Sequence, residues 1–105
     1  MPEPLTPPAG TVAEPGTIAG TDDRQLARLT GTVKAVTFRP PSTAPAFEAV
    51  LEDGTGTLRV VWVGQHAIAG IGPGRRLAVE GRLRRDAHGA TMRDPRYELL
   101  PEAIQ

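Results

Sequence analysis

Two glycine-rich stretches have the composition of a phosphate cradle: D-G-T-G at 53–56 and G-I-G-P-G at 70–74. Such a loop binds an anion when it leads from a strand into a helix, so that amide N–H groups converge on one point. D-G-T-G leads instead into TLRVVWV (57–63), a β-branched run of period two, and follows FEAVLED (47–53), which also alternates. Two alternating runs joined by Asp-Gly-Thr-Gly read as a β-hairpin, because aspartate and glycine tolerate the positive φ of a tight turn. In the second stretch, Pro73 and the lack of a following helical pattern argue against a dinucleotide fingerprint. A short helical turn over 65–69 followed by a Pro-Gly turn fits better.

Other chemistries find little to work with. No Ser-His-Asp order suits a nucleophile, and no two carboxylates share a predicted wall. His66 and His88 lie in separate loops without cysteine partners, so neither a metal site nor a cofactor is expected, and the chain does not read as an enzyme. With no cysteine at all there is no disulfide or thiolate chemistry. The most distinctive residues left are the arginines. Eleven Arg and one Lys balance twelve Asp+Glu, but all twelve cations fall within 24–96, against six acidic residues there. A basic body with acidic ends suits an anionic partner. A GC-rich genome would also favour arginine codons.

The elements that position these residues are strands. In RQLARLTGTVKAVTFRP (24–40), Ala27, Leu29 and Val33 share one face while Arg28, Thr30, Thr32 and Lys34 take the other, and Gly31 marks a bulge or bend. Phe47, Ala49 and Leu51, then Leu58, Val60 and Trp62, give the inward faces of the hairpin. Leu77, Val79, Gly81 and Leu83 form a fourth strand with a second bend at Gly81. ATMRDPRYELL (90–100) gives a fifth, in which Pro95 must sit on an edge or end the ladder. Ahead of these, residues 1–20 hold Pro2, Pro4, Pro7, Pro8 and Pro15 and no apolar period. The chain is therefore expected to divide into a disordered acidic tail (1–23), a barrel (24–100) and a short C-terminal tail (101–105). The N-terminus has no signal-peptide pattern and no apolar run approaches membrane-spanning length, so a cytoplasmic protein without membrane contact is expected.

Five strands with a short helical connector between the third and fourth describe an all-β, Greek-key OB-fold barrel. Over residues 29–100 the chain resembles the OB-fold nucleic-acid-binding family, through LTGTVKAV, FEAVLEDGTGTLRVVWVG, IGPGRRLAVEGRLRR and MRDPRYELL. It looks like a small stand-alone actinobacterial OB-fold protein, and is similar to tRNA anticodon-binding and helicase wedge domains. The resemblance implies single-stranded DNA or RNA as partner, bound across the outer face of strands one to three and the flanking loops. On that mapping the face carries Arg28, Lys34 and Arg59. Arg39 stands at the first loop, Arg84, Arg85 and His88 belong to the loop between strands four and five, and Arg93 lies just beyond.

Base stacking is thinly provided for. The candidates are Phe38 and Trp62; Phe47 and Trp62 share the inward parity of Leu51 and Val60, which leaves Trp62 either core or partly exposed at a strand end. Weak, sequence-tolerant binding follows. The alternative is a protein-interaction module that docks a partner on the outer face of strand three, through Val61 and Val63.

Overall fold

The computed structural model describes residues 15–39 and 45–101, and among these it contains strands and turns and no helix. The strands are β1 (Pro15–Gly16), β2 (Leu26–Arg39), β3 (Ala46–Glu52), β4 (Thr57–Val63), β5 (Arg76–Asp86), β6 (Gly89–Arg93) and β7 (Arg96–Leu99). They pair in the order β1-β2-β3-β4-β6-β5-β7, and an additional β2–β5 pairing closes β2, β3, β4, β6 and β5 into a barrel. The β4–β6 and β1–β2 pairs are parallel; the rest are antiparallel. The period-two pattern places the core as expected. Ala27, Leu29, Val33, Phe47, Ala49, Leu51, Leu58, Val60, Trp62, Leu77, Val79, Leu83, Ala90 and Met92 form one buried cluster.

β2 makes the closure. Its first half, 26–32, pairs with β5 and its second half, 32–39, with β3, so that Thr32 faces both Arg76 and Glu52. At the handover a Cβ on Gly31 would sit on the Glu52 carbonyl oxygen, so only glycine lets the two strands cross there. The bulge itself falls at Lys34, between Val33 and Ala35.

Three expectations are corrected. The connector 64–75 is not helical. It is built of successive turns: Ile71 N–H donates to the Ile68 carbonyl and Arg75 N–H to that of Gly72. Gly70 and Gly74, third in each turn, have φ of 87° and 89°. That left-handed region interrupts a helix, and Pro73 suits the second position of its turn. Ile68 and Ile71 still bury into the core from these turns.

The fifth strand is two. β6 and β7 lie along the same edge of β5, but Leu83 faces Met92 while Glu80 faces Arg96, a slip of one residue. Asp94, at φ 49°, and Pro95 make the break. Pro95 has no N–H to give the ladder, and its carbonyl instead accepts the Trp62 indole N–H at 3.3 Å.

The third correction concerns the N-terminal segment. Residues 1–14 and 102–105 lie outside the described residues, but 15–23 pack on the barrel. Pro15 and Gly16 pair with Arg28 and Leu29, and Ile18 enters the core at 2% exposure. A proline-rich composition hides this because the docking uses one apolar side chain and several main-chain groups. The D-G-T-G turn supplies the partner. Asp53 accepts hydrogen bonds from the N–H groups of Thr55 (2.8 Å), Gly56 (3.2 Å) and Ile18 (2.8 Å) and from the Thr55 hydroxyl. Thr55 Oγ1 accepts the Ala19 N–H. The Thr55 and Gly56 amides, which a bound phosphate would need, are thus taken by the loop's own carboxylate. Gly54 has the φ of 90° that the turn requires.

Two outcomes follow. Replacing Ile18 with Ala should cost about 2–4 kcal/mol in urea unfolding, since a buried isoleucine loses its transfer energy and leaves a cavity. Burial alone would raise the Asp53 pKa, but hydrogen bonds from the Thr55 hydroxyl and the Ile18, Thr55 and Gly56 amides outweigh it and hold the group below its ordinary 3.8. A carboxylate lowered in the folded state stabilises fully above its unfolded pKa and loses that contribution as pH falls through the folded value. Unfolding free energy should therefore drop as pH falls below about 4. In Asp53→Asn the drop should be smaller, from a lower starting stability; equal acid sensitivity would remove Asp53 from this role.

Candidate nucleic-acid interface

Strand registers define the barrel's outer wall row by row. Ala35, Val50, Arg59, Thr91 and Arg84 lie in line across β2, β3, β4, β6 and β5. The next row runs Thr37, Glu48, Val61, Arg93. Positive charge therefore gathers on the β4–β6–β5 side, while the β3 side carries Val50, Glu48 and Glu52. Arg59 and Arg93 are exposed and make no ion pair among the described residues. Arg59 shares a depression of about 170 Å³ with His88, Val50 and Thr57. An open groove of about 720 Å³ continues the wall, lined by Arg24, Arg82, Arg84 and Arg93.

The structure separates the residues expected at this site. Arg59, Arg84 and Arg93 come together on one wall. Arg28 does not join them. It belongs to the half of β2 paired with β5, on another wall, and binds Glu98 at 2.9 Å. There it neighbours Glu80, which Arg96 holds at 3.2 Å. Lys34 rides the bulge and pairs with Glu52 at 3.2 Å. Arg85 serves the fold instead. Its Nη2 donates to the carbonyls of Ile18 (2.6 Å) and Thr21 (2.7 Å), and its N–H donates to Asp23. Arg39 closes β2 opposite Ala46; its side chain and loop 40–44 lie outside the described residues.

Trp62 is removed from the stacking candidates. It is fully buried, 5.9 Å from the Phe47 ring and edge-on to Tyr97 at 6.1 Å. Phe38 remains, 36% exposed at the end of β2, with the His66 ring 4.8 Å away. Val61 has outward parity yet is buried, so Val61 and Val63 make no exposed pair.

Sequence reasoning missed Arg24, Arg82 and His66. Arg82 was open to discovery, since it shares the outward parity of Arg84. Arg24 was not, because the turn that aims it could not be read. Gln25 N–H donates to the Asp22 carbonyl, and Arg24 takes the third position of that turn at φ 70°. Glycine is the usual occupant there, and an L-residue costs on the order of 1–2 kcal/mol. Asp23 is the carboxylate that reaches these arginines, 3.7 Å from Arg84 and 3.8 Å from Arg24. Both pairs are long and exposed, a kind that contributes little.

Among the described residues no group of three His, Cys, Asp or Glu is placed to hold a metal ion, and no helix is long and apolar enough to cross a membrane.

Comparison with known proteins bears on the fold. No known family matches the chain, and no curated protein matches it. Solved structures do. A replication factor A related protein from Methanobacterium thermoautotrophicum superposes with a TM-score of 0.69 at 18% identity, covering 87% of this chain and 96% of that one. The second OB-fold domain of replication protein A from Methanococcus maripaludis gives 0.64 at 12% identity, covering 88% and 100%. The barrel is an OB fold; at such identities the likeness speaks for architecture alone.

The two kinds of arginine should separate in unfolding experiments. Arg85→Ala should cost about 1–3 kcal/mol, since it leaves two carbonyls without their charged donor. Arg59→Ala should stay within about 0.5 kcal/mol of the parent.

Proposed function

We propose that this chain is a nucleic-acid-binding OB module that takes single-stranded DNA or RNA with little sequence preference, and that it is not an enzyme. The observation that carries this is the convergence of Arg59, Arg84 and Arg93 on one outer wall, where Asp23 meets Arg84 only through a long contact of 3.7 Å. Guanidinium groups bind phosphate through charge-assisted, often paired hydrogen bonds that do not depend on base identity. Phe38, open beside His66, offers a place for one base to stack. Wider base contact has no aromatic platform, since Phe47 and Trp62 are core. The two structural neighbours carry replication names, in keeping with a nucleic-acid ligand. The competing reading, a protein docked on strand β4, is weakened by the burial of Val61 and rests on Val63. A soluble cytoplasmic setting goes with this reading.

Binding should be electrostatic in character. Three to four phosphate contacts on a single strand predict a slope of about −2 to −3 for log affinity against log salt. Affinity should be micromolar, on the order of −7 to −8 kcal/mol. Fluorescence anisotropy with labelled single strands of varied sequence measures both. Arg59→Glu should weaken every sequence severalfold, whereas Arg28→Glu should change little. Absence of binding by the parent chain at low salt would refute the proposal.

A further inference from the structure

The groove at the edge of the cationic wall holds two arginines outside the Arg59, Arg84 and Arg93 set, namely Arg24 and Arg82. Among the described residues four arginine side chains line it. Among the described residues, Asp23 is the carboxylate ion-paired with them, through contacts of 3.7 and 3.8 Å. Such crowding of like charge raises the local potential and favours an anion. The Asp23 carboxylate stands between two of them, 3.7 Å from Arg84 Nε and 3.8 Å from Arg24 Nε, too far for a close ion pair and near enough to show that an anion reaches both.

Arg24 adds an independent observation. It occupies the third position of the 22–25 turn in the left-handed region, where backbone preference favours glycine. The main chain thus gains nothing from an arginine here, and its side chain lines the groove. Arg82 is oriented by a hydrogen bond from Nη1 to the Arg24 carbonyl at 3.0 Å, which aims its guanidinium along the same wall.

From this we infer that the groove is a second phosphate track, which carries the sugar–phosphate backbone of the bound single strand past the Arg59 row, with Arg24 and Arg82 as phosphate-binding residues. This rests on the single-strand reading and adds residues to it. A nucleic-acid backbone fits better than an isolated anion because the cations are spread over the 22–25 turn, β5 and β6, and join the Arg59–Thr91–Arg84 row. It brings one charge per nucleotide and so can meet them in succession. Asp23 holds the track in the free protein and yields to phosphate.

The test uses the full chain, a labelled oligothymidylate of about 15 nucleotides and a labelled polyglutamate peptide of similar charge. The deciding variant is Arg24→Gly, which deletes the charge and relieves the left-handed conformation, so its melting temperature should equal or exceed the parent's. It should nevertheless bind the oligonucleotide about three- to tenfold more weakly, with a salt slope shallower by about 0.7. Asp23→Asn keeps an acceptor for the Arg85 N–H and removes the internal anion, and should bind at least as tightly as the parent. The inference is overturned if Arg24→Gly binds like the parent while Arg59→Glu is weakened; the wall reading then stands without the groove. It is also overturned if Asp23→Asn loses affinity, or if Arg24→Gly weakens only the polyglutamate complex. If the parent binds no oligonucleotide, the functional reading itself fails.

Discussion

β2 belongs to two walls of the barrel at once, and the close crossing at Gly31 is what allows it. The strand passes from β5 to β3 within a residue or two, with Thr32 in register with both. A side chain at 31 would collide with the Glu52 carbonyl, and the barrel could not close without parting the β2–β3 pair. Closure decides more than stability. It sends residues before 31 and residues after 33 to different surfaces, so Arg28 and Lys34 do not share a face. Each lands beside a carboxylate, Glu98 and Glu52. Among the described residues Arg59 on β4, Arg93 on β6 and Arg82 on β5 make no ion pair and lie on one side, while Arg75 and Arg76, where β5 begins, make none either but stand apart from them. The barrel's topology, rather than the number of arginines, concentrates charge on one side.

The N-terminal segment complements this arrangement with anions and main-chain groups. Among its described residues Ile18 is the apolar anchor in the core, over Gly56, where a Cβ would lie 3.3 Å from the isoleucine. Its remaining attachments are polar: Asp53 to the Ile18 amide, Thr55 to that of Ala19, Arg85 to two carbonyls. Hydrogen bonds that span long sequence separations make the D-G-T-G turn and the β5 end a receptor for the segment. The same docking carries Asp23 and Arg24 to the groove. A glycine-rich loop with the composition of an anion site therefore acts by holding down the segment that presents Asp23 to the real concentration of cations.

The alternation of Leu58, Val60 and Trp62, or of Leu77, Val79 and Leu83, was enough to place the core, because inward parity is a local property of a strand. The hairpin turn at 53–56 was legible for the same reason: its chemistry lies in four consecutive residues. The connector misled because His66 to Ala69 has no strong breaker, and the decisive left-handed glycines lie at its edges. The docked segment was invisible, since one isoleucine among prolines gives no period and the groups that bind the Ile18 main chain, on Asp53 and Arg85, lie 35 and more residues away. The candidate site was half legible. Parity put Arg59 and Arg84 outward correctly, but which wall an outward residue joins depends on strand pairing. Arg28 was lost to that, and Arg85 to a long-range contact.

The distribution of aromatic residues bears on the proposed binding. Of the four rings, Phe47 and Trp62 are committed to the interior and Tyr97 packs against the core, so they hold the barrel rather than a ligand. Stacking contributes on the order of 1–3 kcal/mol for each base, which a surface with Phe38 alone can draw on once. On the proposed reading, phosphate contacts must then supply most of the affinity. They are strong at low salt, fall steeply as salt rises and carry no sequence information. A face of arginines with Val50 and Thr91 between them has few side-chain groups fitted to tell one base edge from another, so a strand could shift along it by a nucleotide at little cost. Discrimination between partners would then come from backbone flexibility, which lets a single strand follow the curved wall from Arg59 to Arg84, where a stiff duplex meets it over a shorter arc.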